Sequence, residues 1–414
     1  MALGTTNPVI RSGRYRYVIA AMALAAHLAI GLNLFTVSPL LTLVIDDYGI
    51  NRTTAGLLVS LPMLMAAALG LPGGILLSRI GLRRAYFIGW ASIAVLALSY
   101  VAPNFWVLIV LRLVFGVGLA FMITATAPML MQWFRPKEVL VMNALTTAVL
   151  SLGIAISVAG AEPLAEVVNW RMSLTIFAGI GVAGTLAWTW AGRGVAGSLK
   201  RSNIVRLRDV GAVLRSRAIV LLLVADAGVL FQYTAFTGWL PTFYNEERGI
   251  SLSRAGLVTS ILPFVGVFAV LAGGIFPLRF GSSKVLFVGS GLLAGIGGLG
   301  AFLFPHLAGI YISVMVMGIG SWFYVPTLLT LPMQMAGMTP ERVAVVWGSI
   351  MTFSGLSMFL APILVGALRD SSGSFFPGFA ICAAFSWSLL IAGLLLPRGP
   401  ALSGTAAGAQ TTPD

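Results

Sequence analysis

The sequence predicts an all-α membrane protein with twelve membrane-spanning helices, arranged as two similar bundles of six. Three observations lead to this fold class. Apolar residues make up 58% of the 414 residues and charged residues only 9%, whereas a soluble domain carries roughly a quarter charged residues. The chain is divided into apolar runs of about 20 residues, the length that a helix needs to cross a bilayer. Finally, the two halves of the chain resemble each other.

The apolar runs give the helices in chain order. The predicted helices cover residues 17–43, 54–78, 85–101, 105–133, 139–161, 169–192, 217–244, 254–278, 285–304, 307–336, 342–365 and 374–397. Residues 1–192 are therefore expected to form an N-terminal six-helix bundle and residues 217–397 a C-terminal one. Between them, residues 193–216 form a basic cytoplasmic linker that either lies on anionic lipid or is solvated. Residues 398–414 are predicted to be a disordered tail.

A repeat with a spacing of 200 residues supports the division into two bundles. The sequence DDYGI at residues 46–50 returns as EERGI at residues 246–250. Further along, Gly73 and Gly74 return as Gly273 and Gly274. A repeat of this length indicates two halves built alike. Because both copies run in the same direction in a very apolar chain, the repeat is typical of a transporter made of two parallel halves.

The distribution of basic residues sets the expected orientation. If the N-terminus is cytoplasmic, 19 of the 25 Lys and Arg residues fall on the cytoplasmic side, five fall on the outer side, and Arg112 lies inside a helix. Basic loops stay in the cytoplasm, so both termini are expected there. The net charge of +13 then reflects membrane topology. A nucleic-acid partner is not expected, because no soluble domain is present to carry a basic groove.

Neither an enzyme, nor a metal site, nor a cofactor is expected. The sequence shows no metal-ligand spacing of His, Cys and Glu, no phosphate-binding loop and no nucleophile elbow. The single cysteine, Cys382, excludes internal disulfides and is expected to be a small buried apolar residue.

The loop after the second predicted helix carries a motif that resembles the Major Facilitator Superfamily. Residues 74–84 read GILLSRIGLRR. Five residues match the superfamily's loop signature, namely Gly74, Arg79, Gly81, Arg83 and Arg84, and Ser78 stands at its acidic position. In the superfamily an acidic residue at the position of Ser78 helps to lock the outward-open state, so a conventional gate is not expected here. The run RLVFGVG at residues 112–118 resembles the superfamily's fourth helix. The run WLP at residues 239–241 resembles the cyanate and anion permease branches.

Three ionisable residues lie inside predicted helices: His27 in the first, Arg112 in the fourth and Asp226 in the seventh. A charged side chain in the hydrocarbon region usually faces a partner or a water-filled cavity. The resemblance implies that helices 1, 4, 7 and 10 line a central cavity. All three residues fall on this set of helices, and they are our main candidates for the functional site.

Each candidate has a functional and a structural interpretation. Arg112 is predicted to anchor an anion, because a guanidinium stays charged and binds carboxylate-like groups with two donors; it could instead tie its helix to backbone carbonyls. His27 titrates near neutrality and is a candidate for proton coupling and substrate binding, unless its ring is held by hydrogen bonds within the bundle. Asp226 is a second proton-coupling candidate, and its alternative role is a fixed salt bridge.

Further polar and aromatic residues extend the predicted substrate site. Asp226 and Tyr233 are seven residues apart and share a helix face, and the tenth predicted helix contributes aromatic residues near its middle. Trp and Tyr also populate membrane interfaces for generic reasons, which is the alternative interpretation. The additional substrate-binding candidates are Asn33, Gln232, Tyr233, Trp322 and Tyr324.

The expected function is secondary active transport of a small organic or inorganic anion, taken up by proton symport through alternating access. The alternative is a proton-driven exporter of drugs or metabolites, which is disfavoured because residues 153–163 lack the Gly-Pro pair of exporter motifs. A receptor that binds without transport would need a signalling domain or a long soluble loop. The expected location is the bacterial cytoplasmic (inner) membrane. The expected partners are the anionic substrate, protons and lipid, with the protein acting as a monomer.

Overall fold

A computed structural model of the chain describes residues 14–192, 215–280, 283–335 and 340–396. Within these ranges, twelve helices are long and apolar enough to cross a membrane. The spans are α1 (Tyr15–Leu34, then the short helices Ser38–Leu40 and Leu41–Tyr48), α2 (Arg52–Ile80), α3 (Leu82–Val95, continuing as Leu96–Val101), α4 (Phe105–Leu130), α5 (Pro136–Val168), α6 (Trp170–Ala191), α7 (Arg217–Glu246), α8 (Leu252–Phe280), α9 (Ser283–Leu303), α10 (Leu307–Phe323, then Val325–Gln334), α11 (Pro340–Ser372) and α12 (Phe376–Leu395).

The predicted all-α class and number of spans are thus confirmed. The predicted disordered tail and nearly all of the predicted linker lie outside the described residues. Several predicted helix ends were too short. The fifth helix runs to Val168 instead of residue 161, and the eleventh runs to Ser372 instead of residue 365. In both cases the helix continues through polar residues, because backbone hydrogen bonding extends beyond the apolar stretch that sequence periodicity detects.

Local sequence signals explain where several helices begin. The side chains of Asn51, Asn104 and Asn169 each accept a hydrogen bond from the backbone N–H three residues later, at the starts of α2, α4 and α6. Asparagine is favoured at this position because it satisfies a donor that the helix leaves free. Gly49 and Gly249, which are equivalent in the repeat, both adopt a left-handed conformation with φ of 60° and 64°. The two halves therefore make the same turn.

Glycines pack the helices of each bundle in an equivalent way. A Cβ atom on Gly116 of α4 would lie 2.7 Å from the Cβ of Met65 in α2, and one on Gly318 of α10 would lie 2.5 Å from the carbonyl of Leu262 in α8. The α4–α2 contact in the first half thus corresponds to the α10–α8 contact in the second. Such close approaches leave no room for a side chain.

Two seams join the bundles, one between α2 and α11 and the other between α5 and α8. In the first seam, a Cβ on Gly56 would lie 2.9 Å from the carbonyl oxygen of Pro362. In the second, the Ser151 hydroxyl donates a 2.7 Å hydrogen bond to the carbonyl of Pro263. Positions along the seams are called the predicted outer end, where α2 begins, and the predicted cytoplasmic end, where α2 ends.

Candidate functional site

Arg112 lies in α4, about 10 Å along the helix from its predicted outer end, and is only 4% exposed. Its Nη1 donates a 2.6 Å hydrogen bond to the backbone carbonyl of Asn33 in α1. Among the described residues, no Asp or Glu forms an ion pair with the guanidinium. Arg112 is therefore a buried cation whose charge no neighbouring side chain of the described chain neutralises, which is a costly arrangement in a membrane protein.

The neighbours of Arg112 on α1 are held by local hydrogen bonds. The amide of Asn33 donates to the carbonyls of Ala29 at 2.9 Å and Phe177 at 3.1 Å, so its side chain turns towards α6 and only its backbone meets Arg112. His27 is buried, with Nδ1 2.9 Å from the carbonyl of Ala23. Since a carbonyl can only accept, Nδ1 carries the hydrogen and Nε2 of the neutral ring remains an acceptor.

Asp226 lies in the C-terminal bundle, where its carboxylate accepts hydrogen bonds from two hydroxyl groups. The Tyr324 hydroxyl donates a 2.7 Å hydrogen bond to Oδ1, and the Ser354 hydroxyl donates to Oδ2. Tyr324 occupies the break between the two segments of α10, so the irregular backbone of that helix positions this donor. No Lys, Arg or His among the described residues forms an ion pair with Asp226, which removes the fixed salt bridge of the alternative interpretation from the described part of the chain.

Tyr233 and Trp322 form an aromatic pair beside the N-terminal bundle. Their rings are 5.4 Å apart at an interplanar angle of 88°, and Phe35 of α1 lies 6.3 Å from Tyr233. The Tyr233 hydroxyl and Trp322 Nε1 are both buried, and the hydroxyl lies next to Trp322 and Thr237. The pair therefore places two polar groups next to Phe35 of the first bundle.

Gln232 points away from this pair. A Cβ on Gly298 of α9 would lie 1.6 Å from Gln232 Nε2, so the amide packs directly on α9. Both of its polar atoms are buried without a partner among the described residues. The predicted candidates thus fall into separate groups, with His27, Asn33 and Arg112 in the first bundle and Asp226 with Tyr324 in the second. No described hydrogen bond or ion pair joins the two groups directly.

A chain of alternating charges, which sequence reasoning missed, joins the bundles at the predicted outer end. Arg52 Nη2, at the start of α2, lies 2.8 Å from both carboxylate oxygens of Glu246, at the end of α7. Arg369 of α11 donates to Glu246 at 3.3 Å, and its Nε lies 3.5 Å from Glu247. Only Arg52 belongs to the first bundle, so its pair with Glu246 crosses between the bundles.

Asp370 of α11 adds a second contact by capping the first turn of α2. Its Oδ2 accepts hydrogen bonds from the Thr53 backbone N–H at 2.8 Å and hydroxyl at 2.6 Å, and its Oδ1 accepts from the Arg52 N–H at 3.2 Å. A carboxylate is favoured there because the first N–H groups of a helix lack partners. We call the six residues Arg52, Thr53, Glu246, Glu247, Arg369 and Asp370 the outer latch.

Comparison with known proteins identifies the family. The profile of the Major Facilitator Superfamily matches residues 23–362. This chain belongs to the Major Facilitator Superfamily. The fold agrees with a crystal structure of a bacterial homologue of the human lysosomal transporter Spinster, at a TM-score of 0.71 and 16% identity, covering 93% of this chain and 95% of that one. The resemblance predicted from the loop signature is thus confirmed.

Two curated relatives illustrate the superfamily members that this chain resembles. The cyanate transport protein CynX of Escherichia coli K12 is 28% identical over 89% of this chain and 94% of its own length. A D-galactonate transporter of Escherichia coli O6:H1 is 23% identical over 84% of this chain and 88% of its own length. Together with the twelve spans, membership of the superfamily makes this chain a multi-pass membrane transporter and not an enzyme.

The superfamily loop signature lies at the predicted cytoplasmic end. Gly81 joins α2 to α3 with a φ of 82°, a conformation that favours glycine. The exposed Arg79, Arg83 and Arg84 surround this turn, and the backbone carbonyl of Arg83 accepts a 2.9 Å hydrogen bond from Trp188 of α6. Gly74 and Ser78 lie in the last two turns of α2.

Proposed function

We propose that this transporter moves a small organic or inorganic anion by alternating access and couples that movement to protons. The observation that carries the proposal is the buried Arg112 guanidinium, which has a backbone carbonyl as its partner and no described carboxylate. A permanent cation in such a site attracts an anion, and its fork of donors suits carboxylate-like groups. Two relatives, a D-galactonate transporter and a cyanate transport protein, support this substrate class.

The proposed proton site is Asp226, with His27 as a second candidate. Asp226 is 4% exposed and receives two hydroxyl donors instead of a cation. Without a neighbouring cation, a buried carboxylate is costly. Binding a proton makes the group neutral and is therefore more favourable than remaining ionised away from water. The buried His27, whose Nε2 remains free to accept a proton, offers a similar site in the opposite bundle.

Alternating access is proposed as rocking of the two bundles, residues 1–192 and 217–397, about the two seams. The outer latch holds the predicted outer end closed. Opening that end would break the Arg52–Glu246 pair and the Asp370 cap, while the close contacts within each bundle can remain. The polar groups of Tyr233 and Trp322, which lie next to each other and next to Phe35 of the other bundle, would then exchange their mutual contact for hydrogen bonds to the bound anion.

A thermal-unfolding screen of the purified protein tests this proposal. The panel contains D-galactonate, cyanate, inorganic anions, zwitterions and lipophilic cations at two pH values. A ligand that binds only the folded protein stabilises it by about 2.7 kcal/mol when present at 100 times its Kd. We expect an anion to raise the midpoint for the wild type and for Arg171→Ala, which removes an arginine outside the site.

The same anion should have no effect on Arg112→Ala. Arg112→Lys, which keeps the charge but loses the planar fork, should respond weakly, and it serves as the test if Arg112→Ala does not fold. Stabilisation of wild type and Arg112→Ala by the same anion would contradict the anchor role. Stabilisation by lipophilic cations alone would favour the exporter instead.

A further inference from the structure

Glu162 is a buried carboxyl group that belongs neither to the predicted site nor to the outer latch. The predicted fifth helix ended at residue 161, which put Glu162 in an outer loop, but the structure places it inside α5, six residues before the end at Val168. It is 6% exposed. Its Oε2 atom is buried and has no hydrogen-bond partner in the described part of the chain.

The seam between α5 and α8 is tight next to Glu162. A Cβ on Gly256 of α8 would lie 2.7 Å from the carbonyl oxygen of Val158, one turn before Glu162. Ser253, in the first turn of α8, lies next to the Glu162 side chain. The carboxyl group therefore contacts the opposite bundle directly, and its surroundings change if the predicted outer end opens.

No cation compensates the Glu162 carboxyl group. Glu166, one turn later on the same helix, is exposed and brings a like charge. The other charged residues near the predicted outer ends of the packed helices α1, α6 and α8 are Asp46, Asp47, Arg171 and Arg254. Asp47 and Arg171 pair with each other at 2.7 Å, and Arg254 is exposed. Within the described ranges none of them forms an ion pair with Glu162.

We propose that Glu162 is a proton-binding site of the α5–α8 seam, separate from the site at Asp226. A carboxylate with one buried, unpartnered oxygen beside a like charge is more costly than a neutral carboxyl group, so the group holds a proton while the predicted outer end is closed. When the seam opens, the O–H bond breaks, the proton passes to water and the solvated carboxylate remains. Closure requires the carboxylate to take up a proton again.

This inference rests on the alternating access of the proposed function but not on the identity of the substrate. Because the closed form binds the extra proton, acid should favour closure of the predicted outer end and alkali should favour its opening. The Asp226 site alone predicts no change at this seam when Glu162 is replaced. The two proton sites can therefore be separated by mutation.

The test measures the opening of the predicted outer end without any substrate. Spin labels are attached at Pro103→Cys and Pro305→Cys, two exposed loop positions on opposite bundles, after Cys382→Ala removes the only native cysteine. Distance distributions from pulsed EPR in lipid nanodiscs at pH 5 to pH 8 give the ratio of closed to open molecules. For the wild type we expect this ratio to fall on the order of tenfold across the range.

Glu162→Gln, which is neutral at every pH, should change this ratio less than about twofold over the same range. The control Asp46→Asn neutralises an exposed carboxylate at the same end of the molecule and should retain the wild-type response. If Glu162→Gln does not fold, Glu162→Met provides the same neutral test. An unchanged pH response in the neutral variants, an equal loss in Asp46→Asn, or no response in the wild type would overturn the proposal.

The result is independent of transport assays. If the pH response depends on Glu162 but no anion stabilises the protein in the thermal screen, the result supports the proton site and counts against the proposed substrate class. If an anion binds but the pH response is the same without Glu162, the result supports the substrate class and counts against the proton site.

Discussion

Replacing Arg52 by alanine should weaken closure of the predicted outer end. The substitution removes the 2.8 Å contacts between the bundles and leaves Glu246 with Arg369 alone. The side chains of Arg52 and Glu246 are 27% and 16% exposed. Exposed pairs contribute about 0.2–1 kcal/mol, whereas breaking a buried pair costs about 3–5 kcal/mol. For this half-buried pair we expect about 1–2 kcal/mol, which lowers the closed-to-open ratio about 5- to 30-fold.

The labelled Pro103 and Pro305 positions report this ratio at a fixed pH. A matched control is Arg171→Ala, which removes a 2.7 Å pair with Asp47 whose side chains are 30% and 39% exposed. Both partners of that pair belong to the first bundle, so its loss should leave the ratio unchanged. A double-mutant cycle with Arg52→Ala and Glu246→Gln isolates the coupling between the two residues. No shift in Arg52→Ala, or an equal shift in Arg171→Ala, would refute the latch.

Two further substitutions test the packing. Gly318→Ala places a Cβ 2.5 Å from the carbonyl oxygen of Leu262, whereas a Cβ on Gly289 would have no neighbouring atom within 4 Å. Gly318→Ala should therefore lower the free energy of unfolding by about 1–3 kcal/mol, and Gly289→Ala should leave it unchanged. Thermal unfolding in detergent measures both variants. Equal effects would contradict the assigned contact. Gln232→Leu removes two unpartnered buried amide atoms at similar volume, so the unfolding midpoint should stay or rise, and a clear fall would show that the amide has partners.

The helices and the family were predictable because they depend on features that sequence displays directly. Apolar runs reveal spans, and the repeat indicates equivalent halves, in which Gly116 and Gly318 make close helix contacts at equivalent places. The face shared by Asp226 and Tyr233 was predictable from helical spacing. Both residues contact α10, one through Tyr324 and the other through Trp322.

The outer latch was not predictable, because its residues come from α2, α7 and α11 and meet only when the bundles pack. Sequence reasoning assigned Arg52 and Glu246 to loops by their charge. The same rule excluded Glu162, since an apolar run ends at the first polar residues even when the helix continues. Backbone carbonyls were the alternative partner predicted for Arg112, and the structure shows that of Asn33. The side-chain sequence carries no signal for which carbonyl is used.

Proton-coupled anion transport is tested by uptake of D-galactonate and of cyanate into proteoliposomes, with and without an imposed pH gradient. We expect accumulation of one of these anions against its gradient when the outside is acidic. Replacing the proton site by Asp226→Asn or His27→Gln should abolish accumulation, and Arg112→Lys should reduce it. The claim is contradicted if neither anion enters, or if entry is equal in the presence and absence of the pH gradient.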